Sequence, residues 1–213
     1  MEVDRPGPGE ELNTGEVTVP RVASSVIVLR DGDEGPEVLL VQRNPEARFM
    51  GGAWVFPGGA VHADDGDPAA TGVRELEEEA GVVVEDPETL VPWSRWITPA
   101  QVRIRFDTWF YVARAPAGAE PKVDGEECVN ARWMRPQDAL DASARDELLL
   151  VFPTIRHLQE LTMIDSVDNA LAAASERRIQ PVEPRVVLDH GGVARVLMPG
   201  EPGYDEAAQD PAP

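Results

Sequence analysis

A run of nine residues, RELEEEAGV at 74–82, contains four glutamates and constrains the fold more than any other feature. In a helix, Glu75, Glu78 and Glu79 are spaced i, i+3 and i+4, so their carboxylates share one face, while Glu77 points elsewhere. Like charges placed in this way repel one another unless a cation lies among them. Because hard divalent cations prefer oxygen ligands, the stripe predicts a metal site. The alternative interpretation is a solvated acidic face.

The predicted helix covers residues 69–80 and has a recognisable signal at each end. Asp67 can cap its N-terminus, Pro68 suits the first helical position, and Gly81 can adopt the left-handed conformation that ends a helix. Upstream, Gly58-Gly59 lacks Cβ atoms, so the backbone there can approach the glutamates closely. One side of the helix packs inward through apolar residues at i, i+3 and i+7: Val73, Leu76 and Ala80.

Segments rich in β-branched residues and leucine surround this helix and predict strands. Two of them, 22–30 and 37–43, flank a turn at 31–36, and two more lie at 103–114 and 128–134.

Composition divides the chain into a dense middle and two tails. Residues 1–17 and 200–213 are rich in Pro, Gly, Asp and Glu, and we expect both to be flexible tails. We expect residues 18–142 to form the main domain and residues 143–199 to form a helical extension. The extension carries two helical patterns and a hairpin signal around His190-Gly191-Gly192: 145–161, 166–179 and 185–198. Its leucines can bury against the main domain or a second subunit, so both a monomer and a homodimer stay open.

Charge and cysteine content exclude several classes of protein. The formal net charge is -20 and Lys122 is the only lysine, which argues against a nucleic-acid partner. Cys128, the only cysteine, rules out an internal disulfide framework. Neither a secretory signal nor an apolar run of membrane-spanning length is visible, so we expect a cytoplasmic protein without a membrane partner.

The pattern Arg74-Glu75-Leu76-x-Glu78-Glu79-x-Gly81-Val82 resembles the core of the Nudix box. This is the signature of hydrolases that use Mg²⁺ or Mn²⁺ to split a nucleoside diphosphate linked to another group. Flanking strands, the run Phe56-Pro57-Gly58-Gly59 and Trp133 extend the resemblance over about residues 20 to 140. It implies an α/β/α sandwich of the Nudix type with a mixed sheet and a C-terminal helical extension, so that residues 18–142 would form a Nudix hydrolase domain.

The box departs from the usual pattern in one respect. Arg74 follows Gly58 by 16 residues, one more than usual, and the first glutamate of the box falls near Asp64, Asp65 or Gly66.

Three further segments resemble the coenzyme A diphosphatases of the peroxisomal Nudix type: 43–52, 96–99 and 105–108. That group has a histidine at the position of Met50 and a leucine at that of Ala47. The resemblance makes coenzyme A or acyl-coenzyme A the leading substrate, ahead of ADP-ribose and NADH-type dinucleotides. A Nudix domain that senses a nucleotide without cleaving it is the alternative from another class.

The resemblance also implies roles for individual residues. Catalysis and metal binding would rest on the Gly59 carbonyl with four carboxylates, namely Glu75, Glu78, Glu79 and Glu127, with Glu126 as the rival of Glu127. Either Glu75 or Glu127 would act as the general base.

Substrate binding would involve arginines and an aromatic ring. Arg43, Arg48 and Arg105 could present guanidinium forks to phosphates, and Phe106 could stack on an adenine. The alternatives are surface ion pairs for the arginines and a place in the core for the ring.

Overall fold

The computed structural model describes residues 12–13, 15–189 and 192–207. In this part of the chain, a 3-10 helix (Pro87–Thr89) accompanies fourteen other elements. In chain order these are β1 (Arg21–Gly32), β2 (Gly35–Arg43), β3 (Trp54–Val55), β4 (Gly58–Ala60), α1 (Pro68–Ala80), β5 (Val91–Ile97), β6 (Phe106–Arg114), β7 (Cys128–Met134), α2 (Pro136–Ala144), α3 (Phe152–Leu161), α4 (Val167–Ser175), β8 (Pro181–Val182), β9 (Arg185–Asp189) and β10 (Gly192–Leu197).

Eight strands form one mixed sheet with the order β3-β2-β1-β6-β5-β8, in which β4 also pairs with β1 and β7 with β2. The β1–β6 and β5–β8 pairs are parallel, and the other pairs are antiparallel. Strands β9 and β10 form a separate antiparallel hairpin.

Helices cover both faces of this sheet. Side chains alternate between the two faces along each strand, and on the central strand both sets are apolar and need a covering layer. On β1, Val26 and Val28 belong to a core that includes Leu76 of α1. The intervening Ile27 and Leu29 belong to a second core with residues of α2, α3 and α4. The expected α/β/α sandwich with a mixed sheet is therefore confirmed.

The ends of α1 also agree with the sequence. Asp67 accepts a hydrogen bond from the Ala70 backbone N–H at 2.8 Å, and Pro68 occupies the first turn. Gly81 has a φ of 63°, and its N–H donates to the Glu77 carbonyl at 2.9 Å. Local signals were sufficient here because caps act within one turn of the helix they end.

The helical pattern predicted over 145–161 was wrong in its first half. Residue 149 accepts a hydrogen bond from the Trp54 N–H at 2.8 Å, and Leu150 forms a bridge with Trp54. Helix α3 starts only at Phe152, where Pro153 fits the first turn. The strand predicted over 103–114 starts at Phe106, and the helix predicted over 166–179 ends at Ser175. Strand β5 and helix α2 were not predicted.

Both expected tails are only partly within the described residues. Residues 1–11, 14 and 208–213 lie outside them, as do His190 and Gly191 of the expected hairpin turn. Two described residues of these tails contact the domain. Asn13 is buried and its N–H donates to the Gln101 carbonyl at 2.7 Å, while the Tyr204 hydroxyl donates to the Glu183 carbonyl at 2.7 Å.

The extension shares its core with the main sheet. Leu158 of α3 and Val167 of α4 are fully buried in the same cluster as Trp93 of β5. The boundary expected after residue 142 stays a prediction. Among the described helices, none is long and apolar enough to cross a membrane.

His157 of α3 is fully buried, and burial lowers its pKa from 6.5 to about 3. Its Nδ1 lies 2.7 Å from the Pro153 carbonyl, which can only accept, so Nδ1 carries the proton. Its Nε2 therefore accepts from the Ser94 hydroxyl at 2.6 Å. This neutral imidazole joins α3 to β5 and packs on Phe110, with ring centroids 4.3 Å apart.

The buried neutral imidazole makes the stability of the protein depend on pH. Below pH 6.5 the unfolded chain takes up a proton that folded His157 accepts only near pH 3, so stability falls as the pH falls. We expect the difference in unfolding free energy between wild-type and His157→Gln to narrow by about 2 kcal/mol between about pH 7.5 and pH 5. Urea titrations at several pH values would measure it. His157→Leu is the control for packing, because a loss of packing lowers the unfolding free energy equally at every pH. Parallel plots of unfolding free energy against pH for the wild-type and both variants would contradict the prediction.

Candidate active site

A cleft of about 460 Å³ is lined by residues of α1, β1, β4, β5, β6 and the C-terminal segment. It brings together most of the residues that the sequence singled out, although they come from distant parts of the chain. The predicted site residues that line it are Arg43, Gly59, Glu75, Glu78, Glu79, Phe106 and Glu127.

Glu79 is the most enclosed of the acids, with only 2% of its surface exposed. Its Oε2 accepts a hydrogen bond from the Gly58 N–H at 2.9 Å, and the Arg43 Nη1 lies 3.9 Å from its Oε1. Burial nevertheless raises the pKa of Glu79 to about 7, and the neighbouring Glu75 adds to this. The Cys128 thiol also contacts this carboxylate, and burial raises the pKa of the thiol. The charge on Glu79 is thus incompletely compensated by the protein alone.

Arg74 links the carboxylates of α1 to the loop before the helix. Its Nη1 lies 2.9 Å from Glu75 Oε1 and 2.7 Å from Glu78 Oε2. Its Nε and Nη2 bind the two oxygens of Asp65 at 2.8 and 2.9 Å. Asp65 also accepts hydrogen bonds from the Thr71 hydroxyl and the His62 N–H. Of the three loop positions considered from the sequence, Asp65 is therefore the one that holds Arg74.

Gly59 lies so close to Glu75 that any larger residue there would force the Glu75 carboxylate to move. A Cβ on Gly59 would come within 2.2 Å of the Glu75 Oε1. Burial raises the pKa of Glu75, and the nearby Glu78 and Glu127 raise it further. The backbone of β4 and the acids of α1 thus form one confined, oxygen-rich region.

This region has the chemistry of a divalent-cation site. In the described residues, no three His, Cys, Asp or Glu side chains already form a metal-binding cluster, and the Arg74 guanidinium lies between Glu75 and Glu78. The donors still fit a cation, because confined carboxylates with raised pKa values gain from a positive charge. Because Gly59 has no Cβ, its backbone and the Glu75 carboxylate oxygens can lie close together.

Two predicted phosphate-binding arginines are not brought to the cleft. Arg48 is exposed in the turn after β2 and is not among the lining residues. Arg105 is 8% exposed, and its guanidinium donates to the Thr98 carbonyl, the Thr18 carbonyl and Glu183. Each of the three guanidinium nitrogens donates one of these bonds, so Arg105 ties three segments together, and it is not among the residues that line the cleft. A phosphate-binding role for Arg48 and Arg105 stays a prediction. The bonds of Arg105 join residues far apart in sequence, so no local pattern could reveal them.

Several lining residues were not identified as a site from the sequence. Phe49 faces the predicted Phe106 with ring centroids 5.8 Å apart, and the exposed Arg21 lies 5.0 Å from the same ring. The start of α3 contributes further residues, and so do β9 and β10: Val151, Phe152, Pro153, Thr154, Val186 and Val196. The segments 43–52 and 96–99 had been noted for their resemblance, but nothing local indicated that the C-terminal hairpin reaches the cleft.

The NUDIX domain family model matches residues 19–153. The chain therefore belongs to the NUDIX domain family. This stretch contains the sheet strands β1 to β7 and the acid-bearing helix α1.

Individual relatives agree with this assignment. Nudix hydrolase 7 of Caenorhabditis elegans is 28% identical in an alignment of length 171 that covers 62% of this chain and 57% of the relative. A nudix hydrolase of Schizosaccharomyces pombe is 39% identical over 61 residues, 29% of this chain and 21% of the relative. The chain thus spans little more than half of the length of the first relative and about a fifth of the second.

Solved structures show the same fold. A NUDIX hydrolase from Alicyclobacillus acidocaldarius is 28% identical, with a TM-score of 0.65, covering 73% of this chain and 96% of that one. The NUDIX domain of Shewanella oneidensis NrtR, solved with ADP ribose, is 19% identical with a TM-score of 0.55, covering 68% and 88%. At that identity the similarity concerns the fold alone.

The clamp between Asp65 and Arg74 generates a prediction about stability. We expect Asp65→Asn to lower the unfolding free energy by about 2 kcal/mol, because a charged, two-pronged hydrogen bond to a half-buried guanidinium is lost. Chemical denaturation monitored by circular dichroism would measure it. The exposed neighbour Asp64 provides the matched control, and Asp64→Asn should stay within about 0.5 kcal/mol of wild-type. Equal effects of the two substitutions would show that the clamp contributes nothing.

Proposed function

We propose that this protein is a metal-dependent hydrolase that cleaves the diphosphate linkage of a nucleoside diphosphate joined to another group. The observation that carries the proposal is the confinement of Glu75, Glu78, Glu79 and Glu127 in one cleft, with Gly59 against Glu75. Membership in the NUDIX domain family supports it, as do relatives that are named nudix hydrolases. Retention of every acid in the α1 stripe favours an enzyme over a domain that only senses its ligand.

Mg²⁺ or Mn²⁺ held by Glu75, Glu78, Glu79, Glu127 and the Gly59 carbonyl would offset the charge of the diphosphate and lower the pKa of a water molecule. The remaining work belongs to the protein. The Gly58 N–H and Arg43 orient the Glu79 carboxylate, and Arg74 orients Glu75 and Glu78. Glu75 or Glu127 would accept the proton of the attacking water, and both remain candidates.

Binding of a polyanion by so acidic a chain requires local positive charge. Arg43 lines the cleft, with its guanidinium 3.9 Å from Glu79, and it is our candidate for phosphate contact. Phe106, paired with Phe49 at the cleft, is our candidate for contact with a base or another flat group.

Coenzyme A or acyl-coenzyme A is our leading substrate, on the resemblance of segments 43–52, 96–99 and 105–108. ADP-ribose and NADH-type dinucleotides follow, and the Shewanella oneidensis domain, which was solved with ADP ribose, supports testing them. Mass spectrometry after incubation with Mg²⁺ or Mn²⁺ and a mixture of these compounds tests the choice. We expect 4'-phosphopantetheine or its acyl derivative with 3',5'-ADP. Cleavage of another compound alone would contradict the coenzyme A assignment, and binding without any product would favour the sensor.

The acids of α1 provide a direct test of the catalytic assignment. We expect Glu78→Gln and Glu79→Gln each to reduce kcat/KM by about a hundredfold or more, near 3 kcal/mol of transition-state stabilisation, because a charged ligand of the cation is lost. Steady-state rates measure the loss, and circular dichroism checks the fold. Glu77, exposed on the same helix and absent from the cleft lining, is the matched control. Near-normal rates in both variants, or an equal loss in Glu77→Gln, would defeat the assignment.

A further inference from the structure

The chain that follows α4 returns to the cleft, beyond the stretch that matches the family. Strand β8 adds to the edge of the main sheet in parallel with β5, where Pro181 pairs with Arg95 and Val182 with Trp96. The hairpin β9–β10 follows directly. Its Val186 and Val196, with Pro184 before it, line the same cleft as the acids of α1.

The register of the hairpin explains why two valines face the cleft together. Val186 lies opposite Val196 in the antiparallel pairing, so both side chains project from one face. The next pair is Val187 and Arg195, which alternation puts on the other face. Val186 is 5% exposed and Val196 is half-buried, so both belong to the apolar lining of the cleft and Val196 offers more of its surface to a ligand.

This wall is well separated from the carboxylates. The acids of α1 lie against β4 and the end of β2, and β4 pairs with β1. From β1 the sheet continues through β6 and β5 to β8, which is three strand spacings, or about 14 Å. A diphosphate held at the acids would therefore reach the hairpin only through a group attached to it.

The cleft surface between these two ends is mainly apolar. Phe49 and Phe106 contact each other across it, and Trp96 and Ile97 of β5 lead to the hairpin. The polar side chains on this part of the described surface are neutral, such as Thr98 and Thr108, apart from Arg21 at the Phe106 ring. Such a surface gains free energy by removing aliphatic groups from water.

Arg105 holds the wall in place. Its buried guanidinium binds Glu183, two residues before the hairpin, at 2.8 Å. It also donates to the Thr18 and Thr98 carbonyls at 2.9 and 2.8 Å. The Tyr204 hydroxyl donates to the Glu183 carbonyl from the other side. The hairpin is therefore fixed to the domain at its base, as a surface that selects ligands must be.

We infer that the C-terminal hairpin forms a specificity wall, made of Val186 and Val196, that accepts an apolar acyl or alkyl group carried on the far side of the diphosphate. The inference rests on the proposed function for the position of the diphosphate. On this inference, residues outside the family-matched stretch decide whether the group attached to the diphosphate is apolar or polar.

Calorimetric titration of acetyl- and octanoyl-coenzyme A into the full chain, with chelator present, tests the wall without turnover. Repulsion between the phosphates and the acids is the same for both ligands, so it cancels in the ratio of their dissociation constants. We expect octanoyl-coenzyme A to bind at least about tenfold more tightly, since each buried methylene contributes about fourfold. Val186→Asp should remove most of this preference, whereas Val187→Asp, on the opposite face, should keep it.

A milder variant guards against misfolding: Val186→Ala should lower the preference about fivefold while leaving the affinity for acetyl-coenzyme A unchanged. Equal affinity of the wild-type for both thioesters, or a preference that survives both Val186 variants, would overturn the wall. If neither thioester binds without a cation, the ratio of their kcat/KM values with Mg²⁺ or Mn²⁺ replaces the ratio of dissociation constants and decides in the same way. Turnover with Mg²⁺ or Mn²⁺ is measured in parallel. If a preference that depends on Val186 is found but neither thioester is cleaved, the proposed hydrolysis fails and the wall stands. If both thioesters are cleaved but bind with equal affinity, the wall fails and the proposed hydrolysis stands.

Discussion

The contact of Arg74 with three carboxylates is the interaction on which the site depends. Glu75 and Glu78 lie on one face of α1, so their negative charges repel each other. The Arg74 guanidinium lies between them and offsets this repulsion. Asp65 keeps the guanidinium in position from the preceding loop, and the guanidinium in turn holds the pKa of Asp65 well below its usual range. A dense group of acids is thereby stabilised while its oxygens still face the cleft. The protein thus tolerates a local concentration of negative charge that its chemistry requires.

The parts that could be predicted from the sequence are those that short-range physics determines. The start and end of α1 and the common face of its acids follow from capping and from helical spacing. The layered fold, in contrast, was predicted through the resemblance that the acidic run carries. Glu127 reached the cleft as expected because it precedes β7, which pairs with β2 beside the acids. From the sequence, the position of the first acid of the box could be narrowed only to Asp64, Asp65 or Gly66. The geometry of the loop determines that Asp65 is the one that meets Arg74.

The remaining parts depend on contacts that no local pattern contains. Arg105 has the composition of a phosphate ligand, yet its partners Thr18 and Glu183 come from opposite ends of the chain. Residues 149–150 follow a helical pattern, but pairing with Trp54 keeps them extended. In both cases tertiary hydrogen bonds override the local preference. The outer surface of the cleft could not be predicted for the same reason, because the hairpin reaches it only after β8 has joined β5.

Strand β1 lies at the centre of the sheet and supplies alternate residues to both cores. Val26 and Val28 pack beneath α1, whereas Ile27 and Leu29 pack beneath the C-terminal helices, and all four are at most 1% exposed. Neither helical layer can detach without uncovering a strand that the other layer also needs. We therefore expect the acid-bearing helix and the C-terminal helices to be lost together on unfolding, and not by separate local openings.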